Sequence, residues 1–508
     1  MDCDVLIVGA GPTGLVLALW LTRLAVRVRL IDSAPAPGTT SRALAVQART
    51  LELYRQLDLA EPVQRAGHRV PAVNLWAHGE PRARLTLEDV GAQMTPYPFA
   101  LIYPQDEHER LLIARLQDVG VVVERGTELV SLTQSADGVQ AELRNAGVTQ
   151  HATAPFLAGC DGARSRVREC VHGGFAGGTY QQLFYVADIR AGGPCMDGNL
   201  HIDLDEADFL AVFPLAGRGR ARLIGTVRDE RAHAESLQFE DVSRRAIENM
   251  QLEVQQVNWF STYHVHHRVT ERFRHGRVFL LGDAAHIHSP VGGQGMNTGI
   301  GDAINLAWKL AAVLHAGAPE PLLDTYDSER RRFARTLVAT TDRLFTFVTA
   351  PGPLARLIRT RIAPRVLARA MSVAVLRRAL FRTVAQFRVN YRGSALSRGR
   401  AGRIRGGDRL PWGGSDGLDN FAGVGLRWQV HVYGSAAADL RDFCAAHALP
   451  LALFPWQGAH ARAGIARDAL YLLRPDGYVA LAAARRPLAE LTAYLSAQGV
   501  RQLNLAPQ

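Results

Sequence analysis

The chain has 508 residues, about three to four times a common single-domain size, so two or three domains with ample core are expected. Its 47% hydrophobic and 21% charged residues and mean hydropathy of −0.03 exclude wholesale disorder and collagen-like repeats. The net charge of +10 suggests a nucleic-acid binder, but residues 341–410 carry 16 Arg against Asp342 and Asp408 and hold the whole excess. These arginines alternate with apolar residues (PLARLIRTRIAPRVLARA), a pattern of helices with basic outer faces. A solvated face or a contact within a homodimer is the expectation, ahead of a membrane-surface or nucleic-acid face.

Only one of the 58 basic residues is a lysine, Lys309. It sits in Ala-Trp-Lys-Leu, which excludes a phosphate loop ending in Gly-Lys-Ser/Thr and leaves a Schiff-base enzyme no other amine. Cys3, Cys160, Cys170, Cys195 and Cys444 form no CxxC and no metal-ligand spacing, so neither a disulfide framework nor a metal site is expected. The acidic start Met-Asp-Cys-Asp does not look like a secretory leader, and the following apolar run is glycine-broken and too short to span a bilayer. A reducing, cytoplasmic setting without membrane insertion is expected.

In chain order, Val5 to Val8 reads as a buried strand, Leu15 to Leu24 as a helix, and VRVRLID as a second strand ending at Asp32, together a βαβ unit. Arg49 to Leu59 and Glu107 to Gln117 look helical, and Val121 to Glu124 and Val139 to Leu143 strand-like. From about Gln181 to Thr226 short strands follow one another (LFYVADI, FLAVFPL, ARLIGTV), suggesting an inserted sheet. A buried strand (VFLLGD) and a long helix to Ala316 follow, then the basic stretch. Gly393 to Gly414 is Gly/Arg-rich and reads as a linker. The last hundred or so residues read strand, helix, strand, hairpin at Pro475-Asp476-Gly477, helix: a small α/β module.

Gly9-Ala-Gly11-Pro12-Thr13-Gly14 lies between the first strand and helix, with Asp32 18 residues after the third glycine. Gly9 permits the turn, Gly11 lets backbone N–H groups approach a pyrophosphate, Gly14 lets helix and strand pack, and Asp32 accepts from a ribose. That register points to a dinucleotide without choosing FAD or NAD. Two later segments choose: LAGCDGARSRVR with Asp161-Gly162, and RVFLLGDAAHIHSPVGGQGMNTG with Gly282-Asp283. With these three fingerprints, residues 1 to 345 resemble the single-component FAD-dependent aromatic hydroxylases, the group containing para-hydroxybenzoate hydroxylase and phenol hydroxylase.

The resemblance implies an α/β architecture: a Rossmann-like FAD-binding domain (1–180 and 271–345) with an inserted β-sheet substrate domain (181–270). A basic helical segment (346–392) and the linker (393–414) follow. The tail (415–508) resembles the thioredoxin-like domain of the phenol hydroxylase subgroup, without its CxxC. Asp161, Gly162 and Arg168 match the motif that touches FAD and a passing NADPH or NADH, and Asp283 of Gly282-Asp283 matches the residue that holds the ribityl chain. Gly295, Met296 and Asn297 match the helix start facing the flavin pyrimidine. Arg42 and Gln105 match FAD contacts, and Pro290 the proline over the flavin beside the substrate.

The implied chemistry is NAD(P)H reduction of a noncovalent FAD, O2 addition at C4a, and transfer of the distal hydroperoxide oxygen to an electron-rich aromatic or phenolic ring. Baeyer–Villiger insertion or epoxidation of a polyketide-like substrate uses the same flavin and stays open. A halogenase lacks its Trp-x-Trp-x-Ile-Pro segment here. A flavin-containing binding protein for an aromatic ligand is the reading from another class, and a flavin-free NAD dehydrogenase, which yellow protein would reject, is a further one; no second GxGxxG unit occurs, so the nicotinamide is expected to bind transiently. No general base is assignable. His264, His266, His267, His286 and His288 have no carboxylate or cysteine spaced to complete a metal site and read as polar packing near the flavin. Trp308 reads as helix core. The strand Phe209 to Pro214 is the expected pocket wall, with either Phe209, Ala211 and Phe213 or Leu210, Val212 and Pro214 facing the substrate.

Overall fold

A computed structural model describes the chain apart from residues 41–42, 78, 204–208, 228–236, 243, 290–291, 350–365, 367–368, 370–372, 415–417 and 499–508. Val5–Val8 is buried at every position, as a four-residue apolar run between two parallel neighbours must be. It pairs with Val28–Asp32 on one side and Phe156–Gly159 on the other, and Val278–Leu280 and Val123–Arg125 extend the parallel sheet. All three fingerprints therefore leave carboxyl ends of neighbouring strands in one sheet, where open α/β sheets bind ligands. The helices Pro12–Arg23 and Gly295–His315 pack against each other beside it.

The inserted sheet is larger than the sequence suggests. It has eight strands, running from His286–Ile287 through Glu253–Thr270, Phe175–Gly192, Arg220–Thr226, Leu210–Pro214 and Leu200–Asp203 to Ala72–Ala77 and Glu80–Thr86. Its main strand starts at Phe175, before the expected boundary at 181, and two strands come from the first 90 residues. Ala72–Ala77 joins through a parallel ladder to Leu200–Asp203, a long-range pairing with no local signature.

Near the C-terminus, Gln429–Tyr433, helix Ala438–Ala446 and Leu451–Phe454 form a parallel β-α-β unit, followed by the antiparallel pair Leu470–Leu473 and Val479–Ala483 and helix Pro487–Gln498. The segment 393–414 is not a linker. Arg398–Ala401 adds a parallel strand beside Val479–Ala483, and Ile404–Arg405 hairpins onto it. Of the basic segment 346–392 much lies outside the described residues; Ala374–Val384 is helical, with Phe381 buried.

Candidate cofactor and substrate site

Gly9 has φ +103°, and a Cβ there would lie 2.4 Å from the carbonyl oxygen of Cys160; at Gly14 it would lie 1.9 Å from that of Gly9. Both are close backbone approaches that only glycine permits. Gly11 differs: its Cβ position meets nothing nearer than Glu109 Oε1 at 4.0 Å, so the backbone faces open space. Gly11 caps the Pro12–Arg23 helix without a side-chain hydrogen bond and Pro12 opens it, leaving first-turn N–H groups for an anion.

Asp32 accepts from the N–H of Ala10 at 2.6 Å and of Ala34 at 2.8 Å, and Arg125 lies 3.6 Å away. It closes the turn, and each carboxylate oxygen keeps a second acceptor site for a ribose hydroxyl. Gln105 opens the helix Gln105–Asp118 and donates to Glu109 Oε1 at 2.8 Å. Burial pushes the Glu109 carboxyl up, with the Gln105 bond and Arg125 opposing.

Asp161 is turned into the protein. It accepts from Ser165 Oγ at 2.6 Å and Val167 N–H at 3.0 Å, starting the helix Arg166–Cys170, and burial raises its pKa against these bonds. Gly162, at φ +76°, has open space where a Cβ would be. Arg168 donates to the carbonyls of Ala284 and Ala163, both at 2.9 Å, so it ties the second fingerprint to the third.

At the third fingerprint, the Gly282 N–H donates to Asp302 Oδ2 at 3.0 Å. Asp302 also meets His286 Nε2 at 2.7 Å and Arg330 Nε at 2.6 Å. Burial alone would raise the Asp302 carboxyl, yet Arg330 and His286 hold it below the usual carboxylate range. Asp283 makes no hydrogen bond among the described residues and its side chain is open to solvent. The protein around it still pushes its pKa upward, with His286 opposing. Such a carboxylate is available to hydroxyl donors.

The helix Gly295–His315 also begins without a side-chain cap. Gly292 and Gly293 before it have φ +82° and +61°, turning the chain into the helix start. Met296 packs against the main core. Asn297 spends its whole side chain internally, accepting from Gln47 N–H and Thr50 Oγ1 and donating to the carbonyls of Ala45 and Gly293. Its backbone N–H, in the first turn of the helix, is the group left for a ligand. His288 donates from Nδ1 to the Ser289 carbonyl at 2.8 Å, while its buried Nε2 has no partner and lies 3.9 Å from the Cβ position of Gly295. Thr13 Oγ1 sits 2.7 Å and 2.3 Å from the Cβ positions of Gly282 and Gly299, wedged between first and third fingerprints. Arg42 and Pro290 lie outside the described residues.

The strand Leu210–Pro214 resolves the two registers. Leu210 and Val212 pack with Leu223, Ala246 and Met250 on the face away from the cofactor sheet. Phe209 and Phe213 are only partly buried and join Phe184, Tyr263, Leu44 and Ile102 on the face toward it. The same face carries Arg222, 1% exposed, in a two-point pair with Asp188 at 2.6 and 2.8 Å. Tyr180 is also there; its hydroxyl donates to Asp342 and its ring lies 4.7 Å from that of His267. Among the described residues no three His, Cys, Asp or Glu converge as metal ligands. A recess of about 680 Å³ between Leu237–Glu240 and Val257–Thr262 contains no fingerprint residue, so the fingerprints locate the site and concavity does not.

Glu109, Arg125, Asp302 and Arg330 were not legible as site residues, whereas His288 was expected near the flavin. One signal existed for Asp302: a carboxylate inside the apolar helix TGIGDAINLAW must be buried, and a buried carboxylate needs partners.

Residues 2–341 match the family model of the FAD binding domain. A flavin-dependent monooxygenase of Mycobacteroides abscessus is 32% identical over 94% of this chain and 96% of its own length. The chain belongs to the FAD-dependent monooxygenases of the aromatic-hydroxylase type. Another member, the 6-methylpretetramide 4-monooxygenase of Streptomyces rimosus, is 38% identical over 71% of this chain and 68% of its own. The structure of the anhydrotetracycline hydroxylase from Streptomyces rimosus superposes with TM-score 0.77 at 29% identity, covering 97% of this chain and 98% of that one. In this flavin monooxygenase, uncapped helix starts, the open Gly11 backbone and the unpartnered Asp283 carboxylate form a donor and acceptor set that fits FAD.

Proposed function

We propose that this monooxygenase hydroxylates a bulky, weakly polar aromatic substrate of the polycyclic polyketide type, using NAD(P)H and O2. The carrying observation is the aromatic face of Phe209, Phe213, Phe184 and Tyr263, which packs with Leu44, Ala45 and Ile102 and carries the polar pairs Arg222–Asp188 and Tyr180–Asp342 among the described residues. An apolar wall with few polar groups suits fused aromatic rings, and relatives named for tetracycline precursors support that choice.

Bound FAD supplies the hydride acceptance and oxygen activation. The chain binds and orients: Gly11 and Thr13 present N–H groups to the pyrophosphate while Pro12 pre-sets the first helical turn, Asp32 and Gln105 hold the adenosine half, and Asp283 takes the ribityl hydroxyls. The N–H groups of Gly295, Met296 and Asn297 face the pyrimidine edge, where the helix start favours the negative charge that develops on reduction. Gly162 leaves backbone free at the second fingerprint for the passing nicotinamide, and Asp161 and Arg168 hold that loop in place. Exclusion of water falls to the apolar wall.

The chain divides on this reading into an FAD-binding part with an inserted substrate sheet and a C-terminal module of thioredoxin-like strand order. Burial pushes the module's Cys444 thiol up to about 11, which suits a structural role. Five free cysteines fit a reducing, cytoplasmic setting; among the described residues no helix is long and apolar enough to cross a membrane.

The test is NADPH and NADH oxidation over a panel of simple phenols and polycyclic phenolic polyketides, with product mass and position of oxygen determined. Coupled oxygenation of polycyclic substrates is expected; turnover confined to small phenols, or ring insertion in place of hydroxylation, overturns the proposal.

A further inference from the structure

Two consecutive residues of the helix Asp324–Thr349 face opposite ways. Arg330 points to the flavin loop: it holds Asp302, which in turn holds the Gly282 N–H and His286, and it donates to the Thr298 carbonyl at 2.9 Å and to the Tyr391 hydroxyl at 3.0 Å. Glu329 points to the C-terminal module, where Arg474 grips it at 2.7 and 3.0 Å. Arg474 also pairs with Asp476 of its own hairpin turn. Lys309 and Asn305, from the helix that starts at the flavin, complete the cluster, each donating to Glu329 Oε2 at 2.8 Å. Trp308 Nε1 donates to Asp476 at 3.2 Å. Arg49 donates to the Asp476 carbonyl at 2.7 Å, from the helix whose Thr50 holds Asn297. Arg474 and Lys309 are fully buried and Asp476 is 2% exposed.

A buried network whose four nearest charges balance locks its members together, because removing any one strands the others in low dielectric. Around Lys309 burial lowers the ammonium to about 8 while Glu329 opposes, so the cluster keeps its charge at neutral pH.

We infer that Arg474 and the Asp476 turn of the C-terminal module are positioning elements of the flavin site, acting through Glu329–Arg330 and Asp302 on the Gly282–Asp283 loop. This rests on the reading of that loop as cofactor-holding. The hairpin lies between the two helices that frame the loop, and Trp308 of one of them packs into the module's core, so the module is a part of the cofactor site.

The test uses the full chain. In deflavinated protein, amide exchange over residues 278–289 is measured for Arg474→Met and for Tyr471→Phe, a hydroxyl deletion in the same module away from the network. FAD affinity is measured in parallel, with Asp283→Ala as reference. Arg474→Met should speed loop exchange and weaken FAD each about tenfold, the scale networks of this kind transmit, while Tyr471→Phe leaves both unchanged. Unaltered exchange in Arg474→Met, or an equal effect of Tyr471→Phe, overturns the inference. If Asp283→Ala leaves FAD affinity intact, the cofactor reading of the loop has failed instead, and the exchange data decide the coupling alone. Should Arg474→Met not be recovered folded, Tyr391→Phe decides: faster loop exchange supports the inference and unchanged exchange overturns it.

Discussion

Asp283→Ala separates cofactor binding from folding in a way few substitutions in this site can. The carboxylate has no hydrogen-bond partner among the described residues, so its removal breaks nothing in the unliganded protein. Its pKa is raised, burial being the main cause. A raised carboxyl stabilises the fold only while protonated: the contribution is complete below the unfolded value, near 3.8, and lost as pH rises through the folded pKa. Because the side chain is open to solvent, water screens this charge, and the alanine variant should melt at about the same temperature. Bound FAD gives the carboxylate a partner. A charge-assisted hydrogen bond contributes about 1.5–3 kcal/mol, so FAD affinity should fall by about one to two decades. Asp161→Ala is the contrast, since its two bonds start the helix Arg166–Cys170 and their loss should cost the unliganded fold about 1–2 kcal/mol. Fluorescence titration of FAD into deflavinated protein, with thermal unfolding of the same samples, reads both quantities. An Asp283→Ala protein with unaltered FAD affinity, or with a stability loss matching Asp161→Ala, refutes the argument.

Lys309 is the only side-chain amine and is fully buried, so an amine reagent should label one site, the α-amino group, in native protein and two in denaturant; two native sites would refute its burial. Burial lowers His108 and His431 to about 3 and His288 to about 4. These depressed groups stabilise fully above the unfolded value near 6.5 and lose that contribution as pH falls toward the folded pKa, by about 1.4 kcal/mol per pH unit each. Unfolding free energy should thus drop already between about pH 6 and 5, above the carboxylate range, and a flat profile there counts against it. Leu210→Ala should cost about 2–5 kcal/mol of stability with KM little changed, whereas Phe213→Ala should raise KM with a small stability loss; the reverse pattern would invert the assigned faces. Labelled DNA and RNA should show no submicromolar anisotropy change at physiological salt, and steep salt-dependent binding would reopen a nucleic-acid role for the basic stretch.

What could be read in advance was whatever local spacing dictates. The Val5–Val8 run, the three glycines and Asp32 sit within about thirty residues, and their register allows one conformation. Strands recruited by distant partners were invisible. Ala72–Ala77 is a strand because Leu200–Asp203 lies alongside it, and Arg398–Ala401 because Val479–Ala483 offers an edge; Arg-Gly-Arg-Ala has no strand tendency of its own. The two faces of Leu210–Pro214 were equally apolar, so only the sheet's neighbours could assign them. The basic stretch was read as a solvated or subunit-contact face, yet Arg409 turns inward to Glu52 between Phe387 and Phe421, because charge count says nothing of where a distant carboxylate is buried.

The three fingerprints lie about 150 and 120 residues apart, and their joint presence has a mechanical reason besides the cofactor they share. Gly9 needs its hydrogen because the carbonyl of Cys160, next to Asp161, presses on it. Gly282 and Gly299 need theirs because Thr13 reaches between them. Arg168 bonds the carbonyl of Ala284, and Asn297 bonds Ala45 and Gln47. Each motif is thus part of the surface against which the others pack, and a change in one displaces the next before any ligand is considered. Asp283 stands apart from this mesh with its side chain unbonded. Residues that only hold the loops should tolerate no substitution even in unliganded protein, whereas those left idle by the fold answer to the cofactor alone, which is why the idle carboxylate, and not the crowded glycines, reports on FAD.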